Sequence, residues 1–206
     1  MTVLVHDVTV TVQPARRVRP SSEEIDRGIL DAAAEIFARH GFAGTAVQQV
    51  ADAVGYSKAG LLRRFASKQT LYDAVLAAAV REGEAVVEAA EQVPPGPGRR
   101  QALLDLVTEA ALASPGLASL LLESIRPASD LPGRARVEEL VTALLESLAA
   151  DAPSAREQVR ALLALQLVVN AASLLTAQPH GPRLAPEELR ALVVELSGAV
   201  LSPAPR

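Results

Sequence analysis

The sequence predicts an all-α protein of about nine helices. Apolar residues recur at helical intervals through most of the 206 residues, and several of these runs start with residue types that cap helices. Strand-like alternation is weak and is seen at Val8, Val10 and Val12, in a first stretch of 20 residues that also carries three arginines. We expect residues 1–20 to form a flexible basic arm, because a lone strand has nothing to pair with.

Helix starts and breaks divide the remainder of the chain. Ser21 and Glu24 have capping-box spacing at the start of the first helix, and the same spacing of Thr45 and Gln48 predicts the start of the second. The Pro- and Gly-rich stretch 93–98 cannot be helical and predicts a loop. The expected helices cover about 21–40, 45–54, 57–65, 67–91, 99–113, 115–126, 132–150, 154–178 and 186–201.

Composition excludes several classes of function. The chain has no cysteine and three scattered histidines (His6, His40 and His180), so we expect no disulfide, no metal site and no cofactor. Neither a phosphate-binding glycine loop nor a serine nucleophile motif is present, and we expect no enzyme activity. No apolar run reaches the length of a membrane span, which indicates a soluble cytoplasmic protein without a membrane partner.

The charge of the chain is unevenly distributed. The formal net charge of −4 divides into +2 in residues 1–20, −1 in 21–73 and −5 in 74–206. Both lysines of the chain, Lys58 and Lys68, lie in the middle segment together with two neighbouring arginines. An acidic protein can carry a local basic face, and this cluster is the part of the chain best suited to contact phosphate.

Residues 45–65 have the pattern of a helix-turn-helix. Such a unit needs a small residue where its helices cross, a turn residue that tolerates positive φ, and an apolar anchor on its second helix. Ala51, Gly55 and Leu61 supply these in order. The second helix then projects its first residues toward a DNA major groove. The alternative is ordinary helix packing, with the basic residues on a solvated face.

The run from Ile29 to Leu71 resembles the DNA-binding domain of the tetracycline-repressor (TetR) family. The matching blocks, in the same order, are ILDAAAEIF, HGFAGT, VQQVADAVGYSKAGLL and FASKQTL. The resemblance covers about the first third of the chain. It implies an all-helical homodimer whose N-terminal domains dock in successive major grooves of a palindromic operator on double-stranded DNA. It also implies a helix-turn-helix DNA-binding domain at 21–66 and a ligand-binding and dimerisation domain at 67–206, with its interface built from the last two helices.

The resemblance also implies roles for individual residues. Thr45 matches a phosphate contact at the start of the first motif helix, and Lys68 matches a phosphate-contacting lysine before the fourth helix. The groove-facing residues of the recognition helix correspond to Ser57, Lys58, Ala59, Gly60 and Leu61.

The chain departs from the family pattern at positions 62–64. The family commonly has Tyr followed by His or Tyr, whereas this chain has Leu62, Arg63 and Arg64. Leu62 cannot donate a hydrogen bond to phosphate, and we expect Arg63 and Arg64 to replace that contact. The basic arm is a candidate for minor-groove contact, and the alternative is a tail that only aids solubility.

The region after position 72 contains no aromatic residue. A pocket built of Leu, Val, Ala and Ile favours a small apolar effector of aliphatic type over a planar aromatic compound. The polar residues expected to orient such a ligand are Glu123 and Arg126 beside a proline, and Gln166, Asn170 and Ser173 on one side of a helix. The alternative for the last three is hydrogen bonding across the dimer.

The sequence therefore predicts a transcription regulator, most simply a repressor that its ligand releases from the operator. The helix at 67–91 joins the two expected domains and is the natural lever between them. Two alternatives stay open. One is a DNA-binding regulator controlled by a protein partner, and the other is a helical interaction module that does not bind DNA, which leaves the cluster at 45–68 unexplained.

Overall fold

The computed structural model describes residues 21–96, 98–126, 129–149, 154–177 and 184–201, with the side chains of 175–177 excepted. Within these ranges the chain forms nine α-helices and no β-strand, which confirms the expected all-α architecture. The basic arm at 1–20 lies outside the described residues. The helices are α1 (Ser22–Gly44), α2 (Val47–Ala53), α3 (Lys58–Arg64), α4 (Lys68–Glu91), α5 (Arg99–Ala113), α6 (Pro115–Ser124), α7 (Ala135–Ala149), α8 (Ala155–Ala177) and α9 (Pro186–Leu201).

The first helix begins and breaks where its sequence predicts. The hydroxyl of Ser21 accepts the backbone N–H of Glu24 (3.1 Å), and the Glu24 carboxylate accepts the backbone N–H of Ser21 (2.6 Å), which completes the capping box. At Gly41 the backbone leaves the helical conformation (φ 70°, ψ 172°). The last residues of α1 therefore form a separate turn after the break.

The second helix begins later than the sequence suggests. The expected capping box between Thr45 and Gln48 is wrong, because Ala46 is the N-cap and the side-chain oxygen of Gln49 accepts its backbone N–H (2.7 Å). The hydroxyl of Thr45 instead donates to the carbonyl of Gly41 (2.8 Å). It closes the end of α1 and does not cap α2.

Two later helices are shorter than expected. α6 ends at Ser124 rather than at 126, because Arg126 precedes a proline, and the residue before a proline is disfavoured in helical backbone. α7 begins at Ala135 rather than at 132, because residues 132–134 form a turn in which Gly133 has a φ of 70°.

Two apolar clusters form the core. The first joins α1–α4 to α6 and contains an aromatic contact group, in which the ring centroid of Tyr72 lies 5.0 Å from that of Phe37 and 4.9 Å from that of Phe42. The second joins α4, α5, α7, α8 and α9 and consists of aliphatic side chains alone. The two clusters meet along α4 and α6, which therefore connect the N-terminal helices to the rest of the molecule.

The helices α1 and α6 approach each other closely at Gly116. A Cβ atom at this position would overlap the backbone carbonyl oxygen of Asp31, so the approach requires glycine. Ser114, the N-cap of α6, makes no side-chain capping hydrogen bond. The carboxylate of Asp31 accepts the backbone N–H of Leu117 instead (3.0 Å), so a residue of α1 caps α6.

The described ranges hold no group of three or more His, Asp or Glu residues arranged to bind a metal ion. His6 and His180 lie outside these ranges. No single helix among them is both long and apolar enough to cross a membrane. The pair α5 and α6 reaches that length and composition only when joined, and it is bent by 114°.

Candidate nucleic-acid interface and ligand cavity

The helices α2 and α3 form a helix-turn-helix unit. Gly55 has a φ of 71° in the turn, as its sequence predicts, and the N–H of Tyr56 donates to the carbonyl of Ala51 (2.8 Å). Ala51 and Leu61 are 0% and 1% exposed and belong to the first apolar cluster. The crossing residue, the turn residue and the anchor therefore have the positions that the pattern assigns to them.

The N-terminal end of α3 faces outward. Ser57 is its N-cap and accepts the backbone N–H of Gly60 (3.0 Å), and the side chains of Ser57, Lys58 and Ala59 are exposed. The expected place of Leu61 among the groove-facing residues is wrong, because a side chain buried in the core cannot reach a base edge. Gly60 has no side chain, so it offers only close approach of its backbone.

The two arginines at the end of α3 have different surroundings. Arg63 is exposed and makes no hydrogen bond or ion pair within the described part of the chain. Arg64 turns back to α1: its Nε donates to the carboxylate of Asp26, and its Nη2 donates to the carbonyl (3.0 Å) and the hydroxyl (2.8 Å) of Ser22. These contacts use three of the five N–H donors of Arg64. The expectation that both arginines contact phosphate alike is therefore corrected in favour of Arg63.

The ion pair between Arg64 and Asp26 also affects the titration of its acid. The hydrogen bond from the Arg64 guanidinium holds the pKa of the Asp26 carboxyl below its ordinary value, against the opposing effect of burial. Both side chains keep part of their solvent contact. The contact thus links the last residue of the recognition helix to the first turns of α1 through a charged hydrogen bond.

The other two predicted phosphate contacts are partly used within the protein. Thr45 is 3% exposed and donates its one hydroxyl proton to the end of α1, so its side chain does not face phosphate in this conformation and that prediction is corrected. Lys68 donates to the carbonyl of Ala43 (3.2 Å), and its ammonium lies 4.5 Å from the ring centroid of Phe42. An ammonium has three N–H donors, so Lys68 retains donors for phosphate.

An apolar cavity lies between α4, α5, α6, α7 and α8. The space open to the centre of a water-sized sphere measures about 50 Å³, so the cavity is narrow. Its polar lining consists of Glu82 and Ser114, and the rest is aliphatic apart from Gly83. The wall contributed by α6 includes Leu117, the residue whose backbone N–H is held by Asp31. The cavity therefore touches the contact between α6 and α1.

The polar residues expected to orient a ligand do not line this cavity. Glu123, Arg126, Gln166 and Asn170 line a separate open groove between α1, α6 and α8. Glu123 and Arg126 form an ion pair with each other (3.0 Å). Ser173 is hydrogen-bonded to a serine hydroxyl of α6 (2.8 Å). The structure therefore places four of the five beside one groove of mixed polar and apolar lining, and their contact with a ligand stays a prediction.

The helices α8 and α9 expose large apolar side chains. Val159, Leu163 and Leu174 of α8 and Leu192 and Leu196 of α9 are between 40% and 58% exposed. By helical spacing the three side chains of α8 share one face of that helix and the two of α9 share another, and the two helices pack against each other. A concentration of exposed apolar side chains of this kind marks an interaction surface.

The carboxyl of Asp31 lies in an unfavourable place for a charge. Burial raises its pKa, and the neighbouring carboxylates of Glu35 and Glu82 act in the same direction, whereas the backbone N–H groups of Gly116 and Leu117 lower it. The Asp31 carboxyl therefore lies where its charged form is disfavoured, and its oxygens accept backbone N–H groups at the start of α6.

The N-terminal helices match a known domain. Residues 29–75 match the family model described as bacterial regulatory proteins, tetR family. The N-terminal part of the chain is therefore similar to the DNA-binding domain of that family. Among curated proteins, the chain is similar to the HTH-type transcriptional regulator RutR of Escherichia coli K12. The two are 48% identical over 50 residues, which make up 24% of this chain and 24% of RutR. The match thus spans about a quarter of the length of the curated relatives.

Solved structures extend the TetR-family fold over most of the chain. AmtR of Mycobacterium smegmatis is 27% identical, with 94% of this chain and 92% of AmtR covered and a TM-score of 0.51. AibR, solved with isovaleryl coenzyme A and operator DNA, is 22% identical, with 84% and 97% covered and a TM-score of 0.54. The TetR-family regulator PfmR of Thermus thermophilus is 19% identical, with 86% and 99% covered and a TM-score of 0.54. The last two show the likeness of fold alone.

The TetR-family motif does not reveal the residues that hold the recognition helix on α1. Asp31 lies on the side of α1 away from Ile29, where helical periodicity predicts a solvated side chain. It is partly buried because α6, whose contact residue is 86 positions away, packs there. Asp26 and Ser22 likewise meet Arg64 across about 40 residues of sequence. No local signal identifies any of these contacts.

Proposed function

We propose that this chain is a TetR-family, sequence-specific DNA-binding transcription regulator, a homodimeric repressor that a small apolar ligand releases from a palindromic operator. The observation that carries the proposal is the orientation of α3. Leu61 fixes the helix to the core, while Ser57, Lys58 and Ala59 face outward from its N-terminal end. A helix held in this way is suited to enter a major groove.

The charge of the same surface supports DNA as the partner. Lys58 and Arg63 are exposed, and neither is paired within the described residues. Lys68 adds a third cation at the start of α4. Cations of this kind neutralise phosphates and release counterions, and the acidic excess of the chain lies beyond residue 73, away from them.

The exposed apolar face of α8 and α9 supports a homodimer. A two-fold dimer uses the same patch on both copies, so one self-complementary surface is enough. Two recognition helices related in this way would read two half-sites about one helical turn apart, which is what a palindromic operator provides.

The lining of the cavity supports a small aliphatic effector. It is almost wholly aliphatic and has no aromatic ring to stack on a planar compound. AibR was solved with an acyl coenzyme A and operator DNA together, which supports the combination of the two ligands in one protein of this fold. The ligand lowers operator affinity only if it binds better to the conformation whose recognition helices are wrongly spaced.

The test is selection of bound duplexes from a random pool at near-physiological salt, with wild type and Lys58→Ala. We expect wild type to enrich a palindrome and Lys58→Ala to enrich it weakly. The matched control is Arg136→Ala, which removes an exposed, ion-paired cation on α7 and leaves selection unchanged. A folded dimer that enriches no site contradicts the proposal and favours the interaction module.

A second measurement separates ligand control from control by a protein partner. The selected duplex, bound to wild type, is challenged with straight-chain fatty acids, alcohols and acyl coenzyme A compounds, and with planar aromatic compounds as controls. We expect release by a compound of the aliphatic set and by none of the aromatic set. Tight operator binding that no compound of either set changes contradicts the ligand assignment and leaves DNA binding intact.

A further inference from the structure

A series of polar contacts runs along α1 from the cavity wall to the recognition helix. At one end the carboxylate of Asp31 holds the backbone N–H of Leu117, and Leu117 lines the cavity. At the other end Ser22 and Asp26 hold Arg64, the last residue of α3. These two sets of contacts are joined by a continuous stretch of helix.

We propose that α1 is a strut that transmits the position of α6 to the recognition helix, with Asp31 and Arg64 as the positioning residues at its two ends. This inference rests on the proposed function, because it assigns the regulation of the same cavity and the same DNA surface. It adds a route from cavity to α3 that does not run through α4.

The contact between α1 and α6 is suited to transmit small displacements. Gly116 allows the two backbones to touch, so α6 cannot move toward α1 without displacing the carbonyl of Asp31. The start of α6 has no side-chain cap of its own, so movement away from α1 leaves the N–H of Leu117 without its acceptor. Both directions of movement therefore have an energetic cost that α1 can relieve by following α6.

The stretch of α1 between the two ends is rigid. Ser22 and Asp31 are nine residues apart, which is about 14 Å of helix. Ile29 on this stretch is buried in the first apolar cluster, and Ile25 and Leu30 pack against the same cluster, so the helix is held along its length. A shift at Asp31 thus reaches Asp26 and Ser22 as a movement of the whole segment.

At the far end Arg64 connects this segment to α3. Its guanidinium donates to a carboxylate, a hydroxyl and a carbonyl of α1, so the orientation of α3 is fixed by two sides: Leu61 in the core and Arg64 on α1. Arg63, the residue before it, is left for DNA. Arg64 therefore acts on operator affinity through the angle of α3 and not through a phosphate.

The first test follows backbone hydrogen exchange in the full-length protein without DNA. Gly116→Ala places a Cβ against α1, and Asp31→Ala removes the acceptor for Leu117. We expect both variants to speed exchange at 58–64 and 22–26 by about threefold or more. The controls are Asp31→Asn, which keeps an acceptor oxygen, and Gly28→Ala, which meets no atom within 4 Å on the same helix; we expect both to match wild type.

Several outcomes overturn the inference. Faster exchange confined to α6 and the residues around Asp31, with 58–64 unchanged, contradicts transmission through α1. An equal effect of Asp31→Asn and Asp31→Ala contradicts the role of the hydrogen bond. Should Gly116→Ala fail to fold, Asp31→Ala carries the test, because it removes one acceptor without introducing an overlap.

The second test measures affinity for the selected duplex in a double-mutant cycle. We expect Asp31→Ala and Arg64→Met each to lower affinity about threefold to tenfold. We expect the affinity of the double variant to be no lower than that of the weaker-binding single variant. Additive losses contradict a shared route. Because hydrogen exchange needs no DNA, a chain that shows the coupling but selects no duplex contradicts the proposed function and leaves the strut in place.

Discussion

The cores of the N-terminal helices α1–α4 and of the C-terminal helices α5–α9 differ in residue composition. All five aromatic residues pack in or against the first apolar cluster, whereas the second is aliphatic and borders a cavity. Rings in edge contact fix one arrangement, while aliphatic side chains around a cavity can rearrange about a ligand. We therefore expect the first core to be the more rigid of the two.

The largest expected effect tests this contrast by deleting side chains from the two cores. Phe37→Ala removes a fully buried ring that contacts Tyr72, and we expect it to lower the free energy of unfolding by about 3–5 kcal/mol. Leu144→Ala, in the cavity wall, should cost about 2 kcal/mol, because its surroundings are already incompletely filled. Urea unfolding measures both, and equal costs contradict the contrast between the cores.

A charge on the exposed apolar face tests whether it is the dimer interface. Leu163→Glu places a carboxylate in the proposed interface, and we expect the dissociation constant of the dimer to rise about a hundredfold, because an unpaired charge is buried. Sedimentation over a concentration series measures the change, with Leu163→Met as the control. A dimer unaffected by the glutamate places the interface elsewhere.

The next effect distinguishes the two neighbouring arginines. Arg63→Ala should weaken binding to all DNA sequences and reduce the slope of log affinity against log salt by about 1, as loss of a phosphate contact does. Arg64→Met should weaken binding with the slope unchanged, since its donors serve α1. Fluorescence titrations at several salt concentrations separate the two. A changed base preference in Arg63→Ala makes that residue a base reader and contradicts its assignment.

A smaller effect is expected where the two regions meet. The hydroxyl of Tyr72 donates to the carbonyl of Pro132 (2.9 Å), and burial raises the pKa of this phenol, so it stays protonated at ordinary pH. Tyr72→Phe should lower the free energy of unfolding by about 1 kcal/mol. Tyr56→Phe, whose hydroxyl makes no such bond in the described part of the chain, is the control and should match wild type in the same unfolding assay.

The smallest effect is the pH dependence of the contact between Asp26 and Arg64. Because the pKa of Asp26 is lowered in the folded protein, its contribution to stability is present at neutral pH and is lost as the pH falls through that lowered pKa. We therefore expect the stability difference between wild type and Asp26→Asn to shrink below about pH 4. A difference that stays constant from neutral pH down into that acidic range contradicts the ion pair.

Local patterns predicted the helices and the turn of the DNA-binding unit well. Gly55 and Ser57 act on their own neighbours, so their spacing is sufficient to place the turn and the start of α3. The sequence predicts Leu61 both as a core anchor and as a groove-facing residue, but one side chain cannot face the core and the DNA at once. The N-cap of α2 lies one residue later than the spacing predicts, because the Thr45 hydroxyl bonds the end of α1. The spacing of capping residues does not determine which helix a hydroxyl serves.

Contacts between distant segments could not be predicted in the same way. Asp31 and Arg64 are polar residues at positions where helical periodicity expects solvent, and only the packing of α6 and α3 on α1 gives them partners. Gln166 and Asn170 were correctly placed on a common side of α8, but which groove that side faces depends on the neighbouring helices. Sequence periodicity defines a face, and the fold decides what covers it.

The central claim, that the outward end of α3 reads DNA, is tested most directly by competition between the selected duplex and its scrambled version for wild type and for Lys58→Ala. The account predicts that wild type prefers the selected duplex by about a thousandfold at near-physiological salt, and that the variant loses affinity while its dimer and unfolding curve stay unchanged. Equal binding of both duplexes by wild type, or an unchanged preference and affinity in Lys58→Ala, would contradict the claim.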